Sequence, residues 1–274
     1  MKNQPFPFRN RNLSSYSNDN RNPITIVFLH GNSCSSRLWQ KQFESTLNEK
    51  YQLVAFDFMG FGDSDHSDNV DDYSITSLKE SVQDFIQQKG LQDYILVGHS
   101  LGGHVIHQLC NELEGCKGII SIGAPPISLP PDIGKIYLPT APVGVMFQKD
   151  FTEEDLDQVT SIFFHSTGDA PPFFKEDFRK SDSNTRTAIG ATLADQAFRD
   201  EVIELNRSPL PKLFICGAEE MSINNAYYDT LDFPGTWKQK VHVVPNASHV
   251  PQWENADAVN QLIDEFAQEV VSSE

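Results

Sequence analysis

Three residues of this chain have the types and the chain order that nucleophilic acyl transfer requires. Ser100 lies in GHSLG at 98–102, a G-x-S-x-G pattern between an apolar run and an amphipathic one. That context is typical of a sharp strand-to-helix turn that lifts a serine hydroxyl clear of a sheet. A hydroxyl needs a general base, and His249, in NASHVP at 246–251, is the predicted base. Both residues are predicted to be catalytic.

The third residue is an acid that would hold the histidine in the correct tautomer and stabilise its protonated form. Glu220 stands three residues past Gly217, at the end of an apolar run, and is the predicted acid. The chain order is then serine, glutamate, histidine, which is the order of one known triad arrangement. Glu219 is an alternative acid; two more distant ones are Asp229 and Asp232. Both glutamates could also be solvated loop charges.

Two backbone groups are candidates to stabilise the negative oxygen of a tetrahedral intermediate. One is the N–H of Leu101, directly after the serine, and the other is the N–H of Asn32, in the loop LHGNS at 29–33. Gly31 permits the tight turn that aims the Asn32 N–H into the site. The Asn32 side chain is predicted to contact substrate, with stabilisation of the turn as the alternative.

The other histidines and the cysteines do not predict a metal or cofactor site. His104 and His107 are spaced i,i+3 on one helix face, but no third ligand is near them in the sequence, so both are interpreted as structural or surface residues. His99 lies on the opposite side of the turn from the nucleophile, and His30 is expected to bond within its own loop. The four cysteines form no CxxC pair, which predicts reduced thiols in a cytoplasmic protein.

These residues need a scaffold, and the hydrophobic pattern predicts an α/β fold. Runs that are apolar throughout predict strands buried on both faces of a mostly parallel sheet. They lie at 24–30, 51–57, 93–99, 117–123, 213–217 and 241–245. Amphipathic runs between them predict helices at 36–50, 74–90, 101–113 and 256–271. This alternation favours an open, doubly wound sheet.

The alternation stops between the fourth and fifth strands. Residues 125–208 contain helical patterns, such as 152–164, and no convincing buried strand, so they are predicted to form a helical cap inserted into a core of residues 1–124 and 209–274. The cap is rich in phenylalanine: Phe147, Phe151, Phe163, Phe164, Phe173, Phe174 and Phe178. Most are expected to pack the cap onto the core. Phe164 is predicted to line a substrate pocket.

Composition limits the classes of partner. The chain has 274 residues, 39% of them hydrophobic, and a formal net charge of −17. Such an acidic surface repels nucleic acid and anionic membranes. The first twenty residues lack the apolar segment of a secretory signal, and no apolar run is long enough to span a bilayer. A small-molecule ester or lactone is the expected partner.

From about Ile24 to Val271, the sequence resembles the α/β-hydrolase superfamily. The residues that carry the resemblance are HGN at 30–32, DFMGFGDS at 57–64, GHSLGG at 98–103 and ASH at 247–249. The resemblance implies that Asp57, Gly60, Gly62 and Ser64 form a structural strand-end loop. It also implies two initial strands, expected to be short here and to lie within Phe6 to Tyr16.

A narrower resemblance is to metal-free N-acyl-homoserine lactone hydrolases of this fold. It rests on GHSLGGH, on GAEE at 217–220 and on ASHVPQWE at 247–254. It implies a triad of Ser100, His249 and Glu220 with Asn32 in the pocket. The metallo-lactonase motif H-x-H-x-D-H is absent, so such activity would need no metal.

The sequence therefore predicts a carboxylic-ester hydrolase acting on small to medium acyl groups through an acyl-enzyme. Two alternatives are lactone hydrolysis and a non-catalytic small-molecule receptor on the same fold. The serine argues against the relatives that use an aspartate nucleophile, which are haloalkane dehalogenases and soluble epoxide hydrolases.

Overall fold

A central β-sheet organises the chain. The computed structural model describes residues 2–18, 20–139, 141, 143–166 and 169–272. The strands are β1 (Lys2–Asn3), β2 (Phe6–Phe8), β3 (Arg11–Leu13), β4 (Ser15–Ser17), β5 (Thr25–Leu29), β6 (Gln52–Phe56), β7 (Tyr94–His99), β8 (Cys116–Ile122), β9 (Lys212–Gly217) and β10 (His242–Val244). One eight-stranded sheet has the order β1-β4-β6-β5-β7-β8-β9-β10.

Most of this sheet is parallel. Strands β5 to β10 pair in parallel, whereas β4 pairs antiparallel with β6 and β1 with β4. Since parallel strands end at one edge of the sheet, the loops after β5, β7, β9 and β10 come together there. The predicted mostly parallel sheet is confirmed.

The N-terminal strands extend beyond the segment expected for them. β1 begins at Lys2, before Phe6, and it joins the main sheet through β4. β2 and β3 form a separate two-stranded sheet. Each of these four strands has only two or three residues. Strands this short contain no long apolar run by which the sequence could predict them.

Helices cover both faces of the sheet. The α-helices are α1 (Gln40–Phe43), α2 (Leu47–Lys50), α3 (Ile75–Lys89), α4 (Leu101–Leu109), α5 (Ile133–Ile136), α6 (Glu153–Phe163), α7 (Phe173–Lys180), α8 (Ser183–Ala194), α9 (Glu201–Arg207), α10 (Pro251–Glu254) and α11 (Ala256–Ser272). Short 3-10 helices lie at Ser36–Trp39, Val70–Tyr73, Val143–Phe147, Asn225–Thr230 and Trp237–Gln239. None of the helices among the described residues is both long and apolar enough to cross a membrane.

The single helix predicted over 36–50 is wrong. The structure has a 3-10 helix followed by α1 and α2, with a break at 44–46. Ser45 causes part of this break: its hydroxyl donates to the Gln42 carbonyl and accepts from the Leu47 N–H. Such local side-chain bonds compete with helical hydrogen bonds. By contrast, α3 matches its prediction because Ser74 caps its start and Gly90, with φ of 61°, ends it.

The core lies on both faces of the sheet, as the apolar strands predicted. Alternate residues of β5 enter different clusters: Val27 and Leu29 pack with α3 and α4, whereas Ile26 and Phe28 pack with α1 and α11. All four side chains are fully buried. The sheet is therefore a rigid platform for the loops at its edge.

Helices α5 to α9 are inserted between β8 and β9, and none of the named strands lies between them in the described part of the chain. Phenylalanines of α6 and α7 form a third hydrophobic cluster with Leu38 and Val250, which flank the edge of the sheet. Most of the cap phenylalanines thus attach it to the core. The exact limits of the cap, 125–208, stay a prediction.

Candidate active site

Ser100 lies at a sharp turn between β7 and α4. Its backbone has φ of 50° and ψ of −114°, values that are strained for a residue with a side chain. Strand and helix approach closely at this turn, since a Cβ on Gly98 would lie 2.4 Å from the Gly102 carbonyl carbon. A Cβ on Gly102 would lie 2.4 Å from the Leu29 carbonyl oxygen. The two glycines of G-x-S-x-G are therefore required by packing.

His249 lies between β10 and α10 and is buried. Its ring Nδ1 lies 2.9 Å from Oε2 of Glu220, and its backbone N–H donates to the Phe163 carbonyl at 3.1 Å. Because a carboxylate only accepts hydrogen bonds, Nδ1 carries the hydrogen, and Nε2 of the neutral ring is left free to accept a proton. This is the tautomer that a general base needs.

The Glu220 carboxylate is enclosed, with 1% of its side chain exposed. Burial opposes ionisation, but contacts with His249 and Ser222 outweigh it and lower the pKa of Glu220. Oε1 accepts from the Ser222 N–H at 2.9 Å and from its hydroxyl at 2.6 Å. Ser222 was missed by sequence reasoning, and its only signal is its position two residues after the acid.

The alternative acids lie elsewhere. Oε2 of Glu219 is buried and has no hydrogen-bond partner among the described residues, and the Glu219 N–H donates to Ala247. Asp229 and Asp232 line a different cavity, beside β9 and β10. Only Glu220, of the four candidate acids, contacts the His249 ring.

The two predicted oxyanion donors lie at the start of α4 and in the loop after β5. Leu101 is the first residue of α4, so its N–H has no acceptor within the helix. The Asn32 N–H also lacks a partner among the described residues. The Asn32 side chain donates from Nδ2 to the Met146 carbonyl at 2.7 Å. The Asn32 side chain therefore connects the loop after β5 to the cap through this hydrogen bond.

One cavity joins these groups. It has about 820 Å³ of empty space, including the part open to solvent, and Asn32, Ser100, Leu101 and His249 line it. The rest of its wall is mainly apolar: Ile75, Ile127, Val143, Met146, Phe147, Phe163, Ile189, Leu193, Phe198 and Ile223. A small organic ligand with an apolar part fits such a site.

Phe164, which the sequence predicted to line a substrate pocket, is not in this wall, whereas its neighbour Phe163 is. α6 ends at Phe163, whose ring centroid lies 4.6 Å from that of His249. Phe164 follows in extended conformation and turns into the cap, where its ring centroid lies 5.0 Å from that of Phe174. The helix end decides which of the two rings faces the cavity.

A cluster of His104, His107 and Glu201 reaches the same cavity. Oε2 of Glu201 lies 2.9 Å from Nδ1 of His104 and 3.0 Å from Nδ1 of His107. It also accepts from the Ile127 N–H at 3.0 Å. Burial opposes ionisation of Glu201, but the two histidines lower its pKa to about 2. Sequence reasoning missed Glu201, which lies 97 positions from His104.

Among the described residues, these three could also hold a metal ion, since their ligand atoms lie within 4.8 Å of one another. Zinc is bound by such nitrogen and oxygen donors. The same atoms already satisfy one another as hydrogen-bond partners, and the Ser121 hydroxyl lies 3.0 Å from Nε2 of His107. We therefore interpret the cluster as a hydrogen-bond network.

The remaining predicted residues have structural contacts. His30 places Nδ1 2.8 Å from the Gly31 carbonyl and accepts from the Phe58 N–H at 3.0 Å, and burial lowers its pKa to about 4. Asp57 accepts from the backbone N–H groups of Ser36 and Asp63. Nε2 of His99 lies 2.9 Å from the His249 carbonyl. The four cysteines are free and buried.

Comparison with known proteins gives the family and its structural neighbours. A model of the alpha/beta hydrolase fold matches residues 24–256. A variant of N-acyl homoserine lactonase AidH, complexed with N-hexanoyl homoserine lactone, has a TM-score of 0.94 at 19% identity, over 100% of both chains. An esterase from Exiguobacterium antarcticum has a TM-score of 0.74 at 17% identity, over 94% of this chain and 96% of that one.

Two of the sequence relatives match only a short segment of this chain. Epoxide hydrolase 3 of Xenopus tropicalis is 38% identical over 87 residues, which is 32% of this chain and 23% of that protein. Non-heme chloroperoxidase CPO-A1 of Kitasatospora aureofaciens is 33% identical over 79 residues, 28% of each protein. The chain thus spans less than a third of the length of these relatives.

Proposed function

Because the chain belongs to the α/β-hydrolase fold family, we propose that it is a serine hydrolase that cleaves carboxylic esters through an acyl-enzyme. The observation that carries this proposal is the 2.9 Å contact between His249 Nδ1 and the buried Glu220 carboxylate, in a cavity that Ser100 also lines. A buried carboxylate that fixes the tautomer of a histidine beside a strained serine is the arrangement that activates a hydroxyl.

In the first half of the reaction, Ser100 Oγ attacks the ester carbonyl carbon while His249 Nε2 takes the hydroxyl proton. The carbonyl oxygen becomes negative, and the N–H groups of Leu101 and Asn32 donate to it. His249 then gives its proton to the leaving alkoxide. The C–O bond to the alcohol breaks, and the acyl group stays on Ser100.

In the second half, His249 takes a proton from water, and the hydroxide attacks the acyl-enzyme carbonyl. The intermediate collapses, the bond to Ser100 Oγ breaks, and Oγ recovers the proton from His249. Glu220 remains ionised throughout and stabilises the imidazolium of His249. No metal has a role in these steps.

Epoxide opening, the activity named for one relative, does not suit a serine nucleophile. Attack by Oγ on an epoxide carbon would produce an ether on Ser100, which lacks a carbonyl carbon for water to attack. The enzyme would be consumed after one turnover. Ester hydrolysis regenerates the free serine.

Lactone hydrolysis is the second candidate. The lactonase AidH superposes over the full length of both chains, including the cap that shapes the cavity. A lactone is a cyclic ester, so the same proton transfers would open it. A non-catalytic receptor is the third candidate. Hydrolysis of any simple ester by the protein would argue against a receptor.

The test is active-site labelling. We expect a fluorophosphonate probe to label the wild-type protein and p-nitrophenyl esters to be hydrolysed. Ser100→Ala should lose the label and about 10⁴-fold or more in kcat. Ser161→Ala, at an exposed serine of α6, is the matched control and should retain both. Undiminished labelling of Ser100→Ala would contradict the proposal.

A further inference from the structure

The backbone carbonyl of His249 needs a hydrogen-bond donor that its own segment does not supply. α10 begins at Pro251, which has no N–H. The N–H groups of Trp253 and Glu254 donate to the Val250 carbonyl. Among the described residues, no backbone N–H donates to the His249 carbonyl. Because His249 is buried, this carbonyl would lack a hydrogen bond unless a side chain reached it.

The His99 side chain supplies that donor. Its Nε2 lies 2.9 Å from the His249 carbonyl oxygen, and because a carbonyl only accepts, Nε2 carries the hydrogen. His99 is the last residue of β7 and directly precedes Ser100. One hydrogen bond therefore joins the neighbour of the proposed nucleophile to the backbone of the proposed base, 150 positions away.

The other ring nitrogen of His99 has no partner. Nδ1 is buried and accepts no hydrogen bond within the described part of the chain. It faces the loop after β5, since a Cβ on Gly31 would lie 2.7 Å from it. A buried acceptor without a donor lowers stability, and an apolar side chain at this position would avoid that cost. Such a side chain would, however, leave the His249 carbonyl without its donor.

His99 also remains neutral beside the base. Burial, and then the charge of His249, lower the pKa of His99 well below its ordinary value. The centroids of the two rings lie 5.0 Å apart. Since like charges at this separation repel each other, a neutral His99 does not oppose the protonation of His249 that the proposed reaction requires.

We propose that His99 is a positioning residue for the proposed reaction: through its hydrogen bond it holds His249 where the ring can reach the Ser100 hydroxyl. Two other contacts also hold His249, since its N–H donates to the Phe163 carbonyl and its Nδ1 to the Glu220 carboxylate. Only the contact from His99 comes from the strand that carries the nucleophile. It therefore sets the separation of base and nucleophile most directly. This inference rests on the proposed function.

The test replaces His99 and measures kcat and KM for p-nitrophenyl butanoate at pH 8. His99→Leu fills a similar volume but has no donor. We expect kcat to fall by about 10- to 100-fold, because a displacement of about 1 Å in a catalytic group has an effect of that size. His99 does not line the cavity, so KM should stay within about twofold of the wild-type value.

His99→Gln and His99→Asn separate the hydrogen bond from the packing of the ring. The amide nitrogen of Gln is as many bonds from Cα as Nε2 of His, so it can donate to the His249 carbonyl. The amide nitrogen of Asn is one bond closer to Cα and does not reach it. We expect His99→Gln to keep kcat within about fivefold of the wild-type value and His99→Asn to resemble His99→Leu.

His242→Leu is the matched control. His242 is also a buried histidine, and its ring stacks on Trp237 with the centroids 4.9 Å apart. Within the described residues, it has no hydrogen bond or ring contact with the proposed triad. Urea unfolding shows how far each variant is destabilised, and we expect kcat of His242→Leu to remain at the wild-type value.

The outcomes for His99 and for the proposed function are distinguishable. Equal kcat values in folded His99→Gln and His99→Asn would overturn the inference, whether or not His99→Leu folds, and so would a wild-type kcat in folded His99→Leu. Hydrolysis and labelling that depend on Ser100 would keep the proposed function in either case. Absence of both in the wild-type protein would overturn the proposed function, and this inference with it.

Discussion

At the scale of single residues, Glu219 and Glu220 are neighbours with different surroundings. Glu220 contacts the His249 ring at 2.9 Å, whereas no hydrogen bond joins Glu219 to that ring among the described residues. Gln has nearly the size of Glu but no charge. Glu220→Gln should therefore lower kcat by a few orders of magnitude, because the imidazolium loses its buried counter-charge.

Glu219→Gln is the matched control, and kcat measured on one p-nitrophenyl ester is the comparison. We expect that variant to remain close to the wild-type protein. A large loss in Glu219→Gln with a small one in Glu220→Gln would show that the other glutamate supports the base.

At the scale of elements, the close packing of α4 on β5 and β7 requires glycine, which has no side chain, at two positions of the turn around Ser100. A Cβ on Gly102 would lie 2.4 Å from the Leu29 carbonyl oxygen, and backbone cannot give way as a flexible side chain can. Gly102→Ala should lower the free energy of unfolding by about 1–3 kcal/mol or more. Urea unfolding measures this change.

Gly134→Ala, in α5, is the control for that substitution. The nearest atom to a Cβ there is 3.9 Å away, and alanine favours helix by up to ~1 kcal/mol over glycine. We expect no loss of stability. If both substitutions changed the free energy of unfolding equally, the close approach at Gly102 would not contribute to stability.

The contact between α9 and α4 is predicted to depend on pH through Glu201. Its pKa of about 2 in the folded protein lies below the ordinary value of 4.5, so ionised Glu201 stabilises the fold above pH 4.5. That contribution is lost as the pH falls toward 2. The wild-type protein should exceed Glu201→Gln by about 3 kcal/mol in free energy of unfolding at neutral pH.

Urea unfolding of both proteins between pH 7 and pH 3 tests this dependence. The difference between them should narrow below pH 4.5. The control is Glu154→Gln, an exposed carboxylate of α6, which should follow the wild-type curve. A constant difference for Glu201→Gln at all pH values would contradict the assigned ionisation.

At the scale of the whole molecule, the cap and the sheet edge enclose one mainly apolar cavity above Ser100. Burial of each methylene contributes ~0.8 kcal/mol, which corresponds to about fourfold in rate. We predict that kcat/KM rises with acyl length over short chains and falls once the cavity is full. Small to medium acyl groups should be preferred to long-chain triglycerides.

A series of linear p-nitrophenyl esters and a parallel series of lactones measure this profile. A flat dependence on chain length would contradict binding of the acyl group in the cavity. Good turnover of the linear esters without lactone opening would exclude the second candidate function and leave the first intact.

The sequence alone was sufficient for those features that local patterns encode. G-x-S-x-G between an apolar strand and an amphipathic helix predicted the turn at Ser100, because packing of strand on helix leaves no room for side chains at the two glycines. Apolar runs predicted β5 to β10, since strands buried on both faces have no polar side. The two hydrogen bonds of the Ser45 hydroxyl interrupt the helix predicted over 36–50. The hydrophobic pattern did not predict this interruption.

The tertiary structure alone decided which residues of separate elements meet. It brought Glu220, rather than Glu219, to His249 across 29 positions, and Glu201 to His104 across 97. It also turned Phe163, rather than Phe164, toward the cavity, because α6 ends between them. Such contacts depend on where loops and helix ends lie in space, to within one residue. Periodicity and spacing along the chain do not determine positions that finely.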